Sequence, residues 1–413
     1  MRTGTAGDTI KSEAVFAEDL SFSLGDRFIL KNINLSINKG EFVGLIGPNG
    51  AGKTTLLKCL SGLIKCEGRI FINGTEISKL ALKDIAREIA FLHQKTAVAF
   101  PFTVLDVVLM GRYPHKAFLG WENADDINIA KKYLAMVDAE HLEMRPVTQL
   151  SGGETQRIML ARVLAQESRI IFLDEPTANL DIAHVESIFR LASELCSSGR
   201  TVITAVHDLK IAAGYCSRMV LMKQGSVFAD GKPEEVLSSR NLSEVYDVNA
   251  LVYKNRLTEK LDYFIHNKRD TSSMRVHVIG GGGSAAGVIR LLFENGCSIT
   301  AGVFAHGDSD IAACEAFNAD HIVCEPFSEI ADVYLAENIR LIEAADLTIL
   351  CDMPFGNNNI RNLEAAAHAE RLAIIEDGPV SGRDFTGGRA LDLYGKLKKR
   401  SVVVTSASLH EVI

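Results

Sequence analysis

The sequence predicts two α/β domains in tandem, and three observations carry that expectation. First, Gly47-Pro48-Asn49-Gly50-Ala51-Gly52-Lys53-Thr54-Thr55 fits the phosphate-loop pattern G-x-x-x-x-G-K-[ST] and directly follows an apolar run, 42–46, that reads as a buried strand. Second, a further apolar run at 170–173 ends in the carboxylates Asp174-Glu175. Third, strand and helix patterns alternate again from residue 275 to 413, as in a parallel sheet covered by helices. A chain of 413 residues also exceeds what one hydrophobic core usually holds.

Taken in order, residues 14–46 alternate short strand patterns with turns at Gly25-Asp26 and Lys39-Gly40. In the phosphate loop the glycines let backbone N–H groups wrap a polyphosphate. Lys53 places a point charge on the β/γ oxygens, and Thr54 offers a hydroxyl to Mg²⁺. Residues 55–60 begin the helix whose N-terminus faces the phosphates. Residues 95–160 read as mostly helical, with helical patterns at 103–110 and 124–137 around a loop holding Gly111 and Pro114. Asp174, at the end of its strand, offers a carboxylate to Mg²⁺ and Glu175 one to water. Strands follow at 202–206, 219–222 and 226–229, and Pro233 marks the first turn of another helix. No internal repeat is present.

Between the phosphate loop and Asp174, Leu150-Ser151-Gly152-Gly153-Glu154-Thr155-Gln156-Arg157 is an L-S-G-G-x-x-Q-R segment with helical periodicity after it. This resembles the signature motif of the ATP-binding cassette (ABC) family. Gln94 matches that family's Q-loop glutamine, Asn179-Leu180-Asp181 its D-loop and His207 its switch histidine, in the family's order. The resemblance covers residues 12–255. It implies an ABC-type P-loop ATPase domain with antiparallel β and helical subdomains, using ATP and Mg²⁺. In it Gly47, Asn49, Gly50, Ala51, Gly52, Lys53, Thr54 and Thr55 would hold the phosphates, and Thr54, Gln94 and Asp174 the metal. Glu175 would polarise the attacking water, Gln94 would sense the metal and water, and His207 would contact the γ-phosphate, while Ser151 with Gly153 would clamp that phosphate from a second copy and Gly152 and Asp181 also belong to the nucleotide site. One motif set per chain implies a homodimer. The family's adenine-stacking aromatic is missing: Leu24 stands there, with Phe22 or Phe28 as substitutes and weaker base selectivity expected.

Gly111-Arg112-Tyr113-Pro114-His115 and Leu180-Asp181-Ile182-Ala183-His184 resemble the subgroup that imports iron-siderophores, haem and cobalamin. The first lies where such cassettes receive the permease, though Arg112-Tyr113-Pro114 also reads as a surface turn. No apolar run reaches the ~18 residues that span a bilayer, and residues 1–11 lack a signal-peptide apolar region. If this cassette drives transport, its membrane-spanning part is another chain, and the resemblance implies as partners two transmembrane permease subunits at the cytoplasmic face of the membrane and, indirectly, an extracytoplasmic substrate-binding protein. The alternative is a soluble ABC ATPase acting on nucleic acid or ribosomes. A net charge of −8 gives no basic footprint for nucleic acid, and neither tandem cassettes nor a coiled-coil insertion is visible. The eight cysteines include no C-x-x-C pair and read as reduced core residues.

Residues 256–274 are polar and mixed, reading as a linker to a Rossmann-like domain at 275–413 with a regulatory role as one reading. There, Val276-His277-Val278-Ile279 runs into Gly280-Gly281-Gly282-Gly283-Ser284 and a helix closing at Asn295-Gly296. The glycine run resembles a dinucleotide- or phosphate-binding turn with N–H groups available to an anion. An NAD site expects an acidic residue at the end of the next strand, which closes instead at Val303-Phe304, with Asp308 beyond it. The loops 352–359 and 376–378 are expected on the same sheet edge, favouring a ligand pocket. A glycine-rich packing turn in a dimerisation domain is the competing reading, and no nucleophile–base pair or metal-ligand spacing supports an independent enzyme.

Overall fold

The computed structural model describes residues 13–94, 100–116, 123–177, 180–255, 258–266 and 274–413; Asn179 and residues 256–257 and 267–273 of the expected linker lie outside them. The chain divides into two compact units, Met1–Asp247 and Val248–Ile413.

In the first unit, β1 (Glu13–Leu24) and β2 (Arg27–Asn38) form a hairpin about the Gly25-Asp26 turn. With β4 (Glu67–Ile72) and β5 (Thr75–Glu76) they make an antiparallel sheet in the order β2-β1-β4-β5. The second sheet holds β3 (Phe42–Ile46), β6 (Ile89–Leu92), β7 (Ile170–Asp174), β8 (Thr201–Ala205), β9 (Arg218–Lys223) and β10 (Ser226–Gly231), ordered β10-β9-β3-β8-β7-β6. Every residue of β3, β7 and β8 is buried, which is why β3 and the first four residues of β7 read as unbroken apolar runs rather than alternating ones. α1 (Lys53–Leu60) packs against β2, β7 and β8, so the phosphate-loop helix sits between the two sheets.

α2 (Leu82–Glu88) precedes β6, and α3 (Val104–Leu109), α4 (Ala124–Met136) and α5 (Gly152–Ala165) pack on one another as a helical layer. Each of these three begins with a reciprocal capping box, Thr103/Asp106, Asn123/Asp126 and Ser151/Glu154, which satisfies backbone donors that a helix start leaves over. Arg112 is internal rather than part of a surface turn. Its Nε donates to Asp126 at 3.0 Å, and Nη1 donates to the Ala165 carbonyl at 2.8 Å and to Glu167 at 2.9 Å. Gly111 beside it lies so close to the Arg162 carbonyl that any Cβ would collide, while Tyr113 stays exposed. α6 (Ile182–Ser197), α7 (Leu209–Tyr215), α8 (Pro233–Val236) and α9 (Ser239–Tyr246) complete the unit.

The linker expectation needs correcting. β11 (Ala250–Lys254) pairs antiparallel with β12 (Leu261–Ile265), and both belong to the second unit. Leu261, Tyr263, Phe264 and Ile265 are strong strand formers within polar surroundings, and the Phe264 ring meets Phe317 edge-on at 5.6 Å.

The second unit's main sheet is all parallel: β13 (Arg275–Ile279), β14 (Ser298–Ala305), β15 (Asp320–Cys324), β16 (Leu347–Leu350), β17 (Leu372–Ile375) and β18 (Val402–Val404), ordered β15-β14-β13-β16-β17-β18. The connecting helices are α10 (Ala286–Glu294), α11 (Asp310–Ala316), α12 (Asp332–Glu343), α13 (Arg361–Ala366) and α14 (Arg389–Lys398). The order reverses between β13 and β16, the doubly wound arrangement whose carboxyl edge is the usual ligand position. A buried polar chain threads this unit. Thr300 contacts His277 Nδ1 at 2.8 Å, and Asn338 donates to Asn362, which in turn holds both the N–H and the carbonyl of Val303.

Candidate functional site

The phosphate loop turns between β3 and α1, and Gly47 has room for no side chain because a Cβ would strike the Met222 carbonyl. Gly52 caps α1 in a left-handed conformation (φ 102°) with no side-chain capping bond, leaving the helix N-terminus to be met by another group. Lys53 is buried, and its Nζ donates to the carbonyls of Gly47 at 2.7 Å and Pro48 at 3.2 Å, which folds the loop around the ammonium. Burial pushes its pKa down, while Glu175 and then Asp174 push it back up.

The strand end of β7 delivers the carboxylates. Thr54 donates its hydroxyl to Asp174 Oδ1 at 2.7 Å, so two of the three oxygen ligands expected for a metal meet. Burial raises the Asp174 pKa, the Thr54 hydrogen bond opposes that, and neighbouring Glu175 adds to the rise. Glu175 takes a left-handed backbone (φ 50°), uncommon outside glycine. Its two oxygens are bracketed: Gln94 Nε2 donates to one, and His207 Nε2 bonds the other. Gln94 follows β6, Glu175 follows β7 and His207 follows β8, so three neighbouring parallel strands bring together residues 81 and 32 positions apart.

Ser151, the N-cap of α5, accepts from Glu154 N at 3.3 Å, while Glu154 accepts from Ser151 N at 2.7 Å. The Ser151 hydrogen bonds, backbone first, hold the Glu154 carboxyl below its usual range. Gly152 and Gly153 open α5, which packs on β6, α3 and α4, whereas α1 packs on β2, β7 and β8. Asp181 caps α6, accepting from His184 N at 3.0 Å. Sequence reasoning gave Gln156 no role, yet it is buried and donates to the Pro176 carbonyl at 3.1 Å, tying α5 to the segment after Glu175. The signal was its place in the L-S-G-G-x-x-Q-R string. Of the adenine candidates, Phe22 packs against the core, whereas Leu24 and Phe28 are exposed at 71 % and 57 %.

The second glycine turn, 280–284, lies as expected at the edge where β13 and β16 end, with Gly282 facing Pro354. Several of the N–H groups expected to be available to an anion already have partners within the chain, at Gly281, Gly282 and the helix start beyond. Gly282 N donates to both Asp308 oxygens at 3.2 and 3.0 Å, Ala285 N to Asp310 Oδ2 at 3.1 Å and Ala286 N to Asp310 Oδ1 at 3.0 Å. Ser284 Oγ accepts from Gly281 N at 3.2 Å. Asp310 is fully buried, and burial raises its pKa against the backbone hydrogen bonds. Among the described residues, no group of three or more His, Cys, Asp or Glu could hold a metal ion, and no helix is long and apolar enough to cross a membrane.

Comparison with known proteins agrees with this assembly. Residues 30–178 match the family described as ABC transporter, and residues 299–412 match the MJ0874 family. The chain is 35 % identical over 333 residues to a cobalamin import ATP-binding protein of Halobacterium salinarum, covering 79 % of this chain and 83 % of that one. It is 38 % identical over 245 residues to the iron(3+)-hydroxamate import ATP-binding protein of Bacillus subtilis, covering 59 % of this chain and 91 % of the relative. Among solved structures, a chain of a metal-chelate type ABC transporter in an inward-facing conformation superposes with a TM-score of 0.54 at 28 % identity, over 62 % of this chain and 97 % of that one. Identity at this level across most of a relative's length establishes the family: the chain belongs to the ATP-binding cassette ATPases of ABC transporters.

Proposed function

We propose that the chain is the ATP-hydrolysing subunit of an importer for a metal chelate of the cobalamin, iron-siderophore or haem kind. It would work as a pair with two permease subunits at the cytoplasmic face of the membrane, receiving cargo through an extracytoplasmic binding protein. The observation that carries the catalytic part is Glu175, held between Gln94 and His207 next to the Thr54–Asp174 contact. The cargo class rests on what the similar import proteins transport by name.

In this reading Lys53 leaves the loop carbonyls for the β/γ-phosphate oxygens, and the α1 N-terminus takes the remaining phosphate charge. Thr54, Asp174 and Gln94 supply the hydroxyl, carboxylate and amide oxygens that suit Mg²⁺, which when bound neutralises phosphate charge. Glu175 accepts the proton of the attacking water while Gln94 and His207 fix its orientation. Ser151 with Gly152 and Gly153 meets the γ-phosphate of a second copy, and Asp181 lies at the same junction. α1 and α5 pack on different elements within one chain, which favours this arrangement in trans. Leu24 leaves the adenine face to Phe28. Uptake of labelled cobalamin, haem and ferric siderophore by cells lacking the gene, with and without Glu175→Gln, tests the proposal. Loss of uptake of one chelate, restored only by the unaltered chain, is expected; unchanged uptake of all three overturns the cargo assignment.

A further inference from the structure

Glu175 takes a backbone conformation that its own sequence resists. A residue before proline favours extended backbone, because the proline ring crowds the compact conformations, yet Glu175 precedes Pro176 and holds φ at 50°. Strain of this kind persists only where the surroundings over-determine it. Gln94 and His207 bond the two carboxylate oxygens, which fixes the far end of the side chain and leaves the backbone to be held by something else. The next residue, Pro176, is buried and has no N–H to donate, so its carbonyl is the group through which the segment can be gripped. That carbonyl accepts from Gln156 Nε2 at 3.1 Å.

Gln156 is only 7 % exposed, and it stands in α5 beside Ile158, Met159 and Leu160, all buried. A polar amide at such a position costs desolvation that an apolar side chain avoids, and the bond to Pro176 is what offsets it. Ser151 caps the same helix five residues earlier, about 7.5 Å along its axis. The helix that presents Ser151 at its start therefore also grips the segment that carries Glu175.

We propose that Gln156 is a positioning residue for ATP hydrolysis: through the Pro176 carbonyl it holds the strained backbone of Glu175, and so aims the carboxylate at the attacking water. This rests on the reading of Glu175 as the base. Gln156 acts through Glu175, so its loss lowers turnover and leaves the phosphate contacts of Lys53 and Thr54 in place.

Two variants of the full chain test it, with steady-state ATP hydrolysis, an ATP binding isotherm and a melting curve for each. Gln156→Met keeps an unbranched side chain that suits a helix and removes the donor, so kcat should fall by about 10- to 10²-fold, the scale of a misplaced reacting group, with KM and ATP affinity unchanged. Gln156→Glu keeps the shape; its carboxyl donates to the Pro176 carbonyl when protonated and cannot when ionised. The ratio of its kcat to that of the unaltered chain should therefore rise as pH falls, while the ratio for Gln156→Met stays flat. A Gln156→Met chain that folds and keeps its kcat, or a Gln156→Glu ratio that does not rise with acid, overturns the proposal. If Gln156→Met does not fold, the pH profile of Gln156→Glu decides alone. Glu175→Gln, assayed alongside, separates the two readings: retained turnover there removes Glu175 as the base, whereas lost turnover there with Gln156→Met unaffected removes only the positioning role.

Discussion

In the first unit a glycine-rich turn leads from β3 into α1; in the second, another leads from β13 into α10. Both follow a buried strand flanked by parallel neighbours, and both aim a helix N-terminus at the carboxyl edge of that sheet. They differ in what the neighbouring strands deliver. β7 brings Asp174 to the Thr54 hydroxyl and Glu175 to Gln94 and His207, while Lys53 holds the loop carbonyls. In the second unit the segment after β14 brings Asp308 onto the Gly282 N–H of the turn and Asp310 onto the N–H groups of the helix start that follows it. A glycine turn is thus an anion site only when no carboxylate of the chain already fills it.

The largest expected effect tests the first turn. Glu175→Gln keeps the size of the side chain and removes its basicity, so ATP turnover should fall by about 10²–10⁴-fold with nucleotide binding retained. Steady-state hydrolysis and a binding isotherm on the same preparation check it; turnover near that of the unaltered chain assigns the base elsewhere.

Acid should separate the two units next. His277 is buried in β13, and burial pushes its pKa down to about 4, so the folded second unit refuses a proton that the unfolded chain accepts below about pH 6.5. The stability this residue permits is complete above pH 6.5 and is lost as pH falls to about 4, by roughly 3 kcal/mol. Denaturation of the full chain, followed through a probe in the second unit, should show that slope, and His277→Gln should remove it. An unchanged slope in the variant contradicts the assignment.

A smaller effect is expected at the second turn. Asp310→Ala orphans the buried N–H of Ala285, costing about 1–3 kcal/mol in the second unit, and leaves the half-buried N–H of Ala286 to solvent, while ATP hydrolysis is unaffected. Hydrogen exchange at these two amides reports it; unchanged protection would mean that the carboxylate does not hold them.

The two turns also mark how far the sequence could be read. Lys53, Thr54, Asp174 and Glu175 were legible because phosphate chemistry demands particular residues at fixed spacing from buried strands. The parallel strands themselves announced their burial as apolar runs. Asp308 was noticed only as an acid too late in sequence for a ribose contact, because its distance to Gly282 depends on how the chain turns after β14. Arg112 looked like part of a surface turn because its partners, Asp126, Ala165 and Glu167, are 14 to 55 residues away. The β11–β12 hairpin was hidden for a simpler reason: polar flanks dominated a segment whose aromatic strand is only five residues long.

The contrast between the turns is tested most directly by nucleotide stoichiometry. Equilibrium dialysis of labelled ATP against the hydrolysis-deficient Glu175→Gln full chain should give one nucleotide per chain, and adding Lys53→Ala should sharply weaken that binding. A second nucleotide per chain, or ATP binding undiminished by Lys53→Ala but lost on Gly282→Val, would contradict the account.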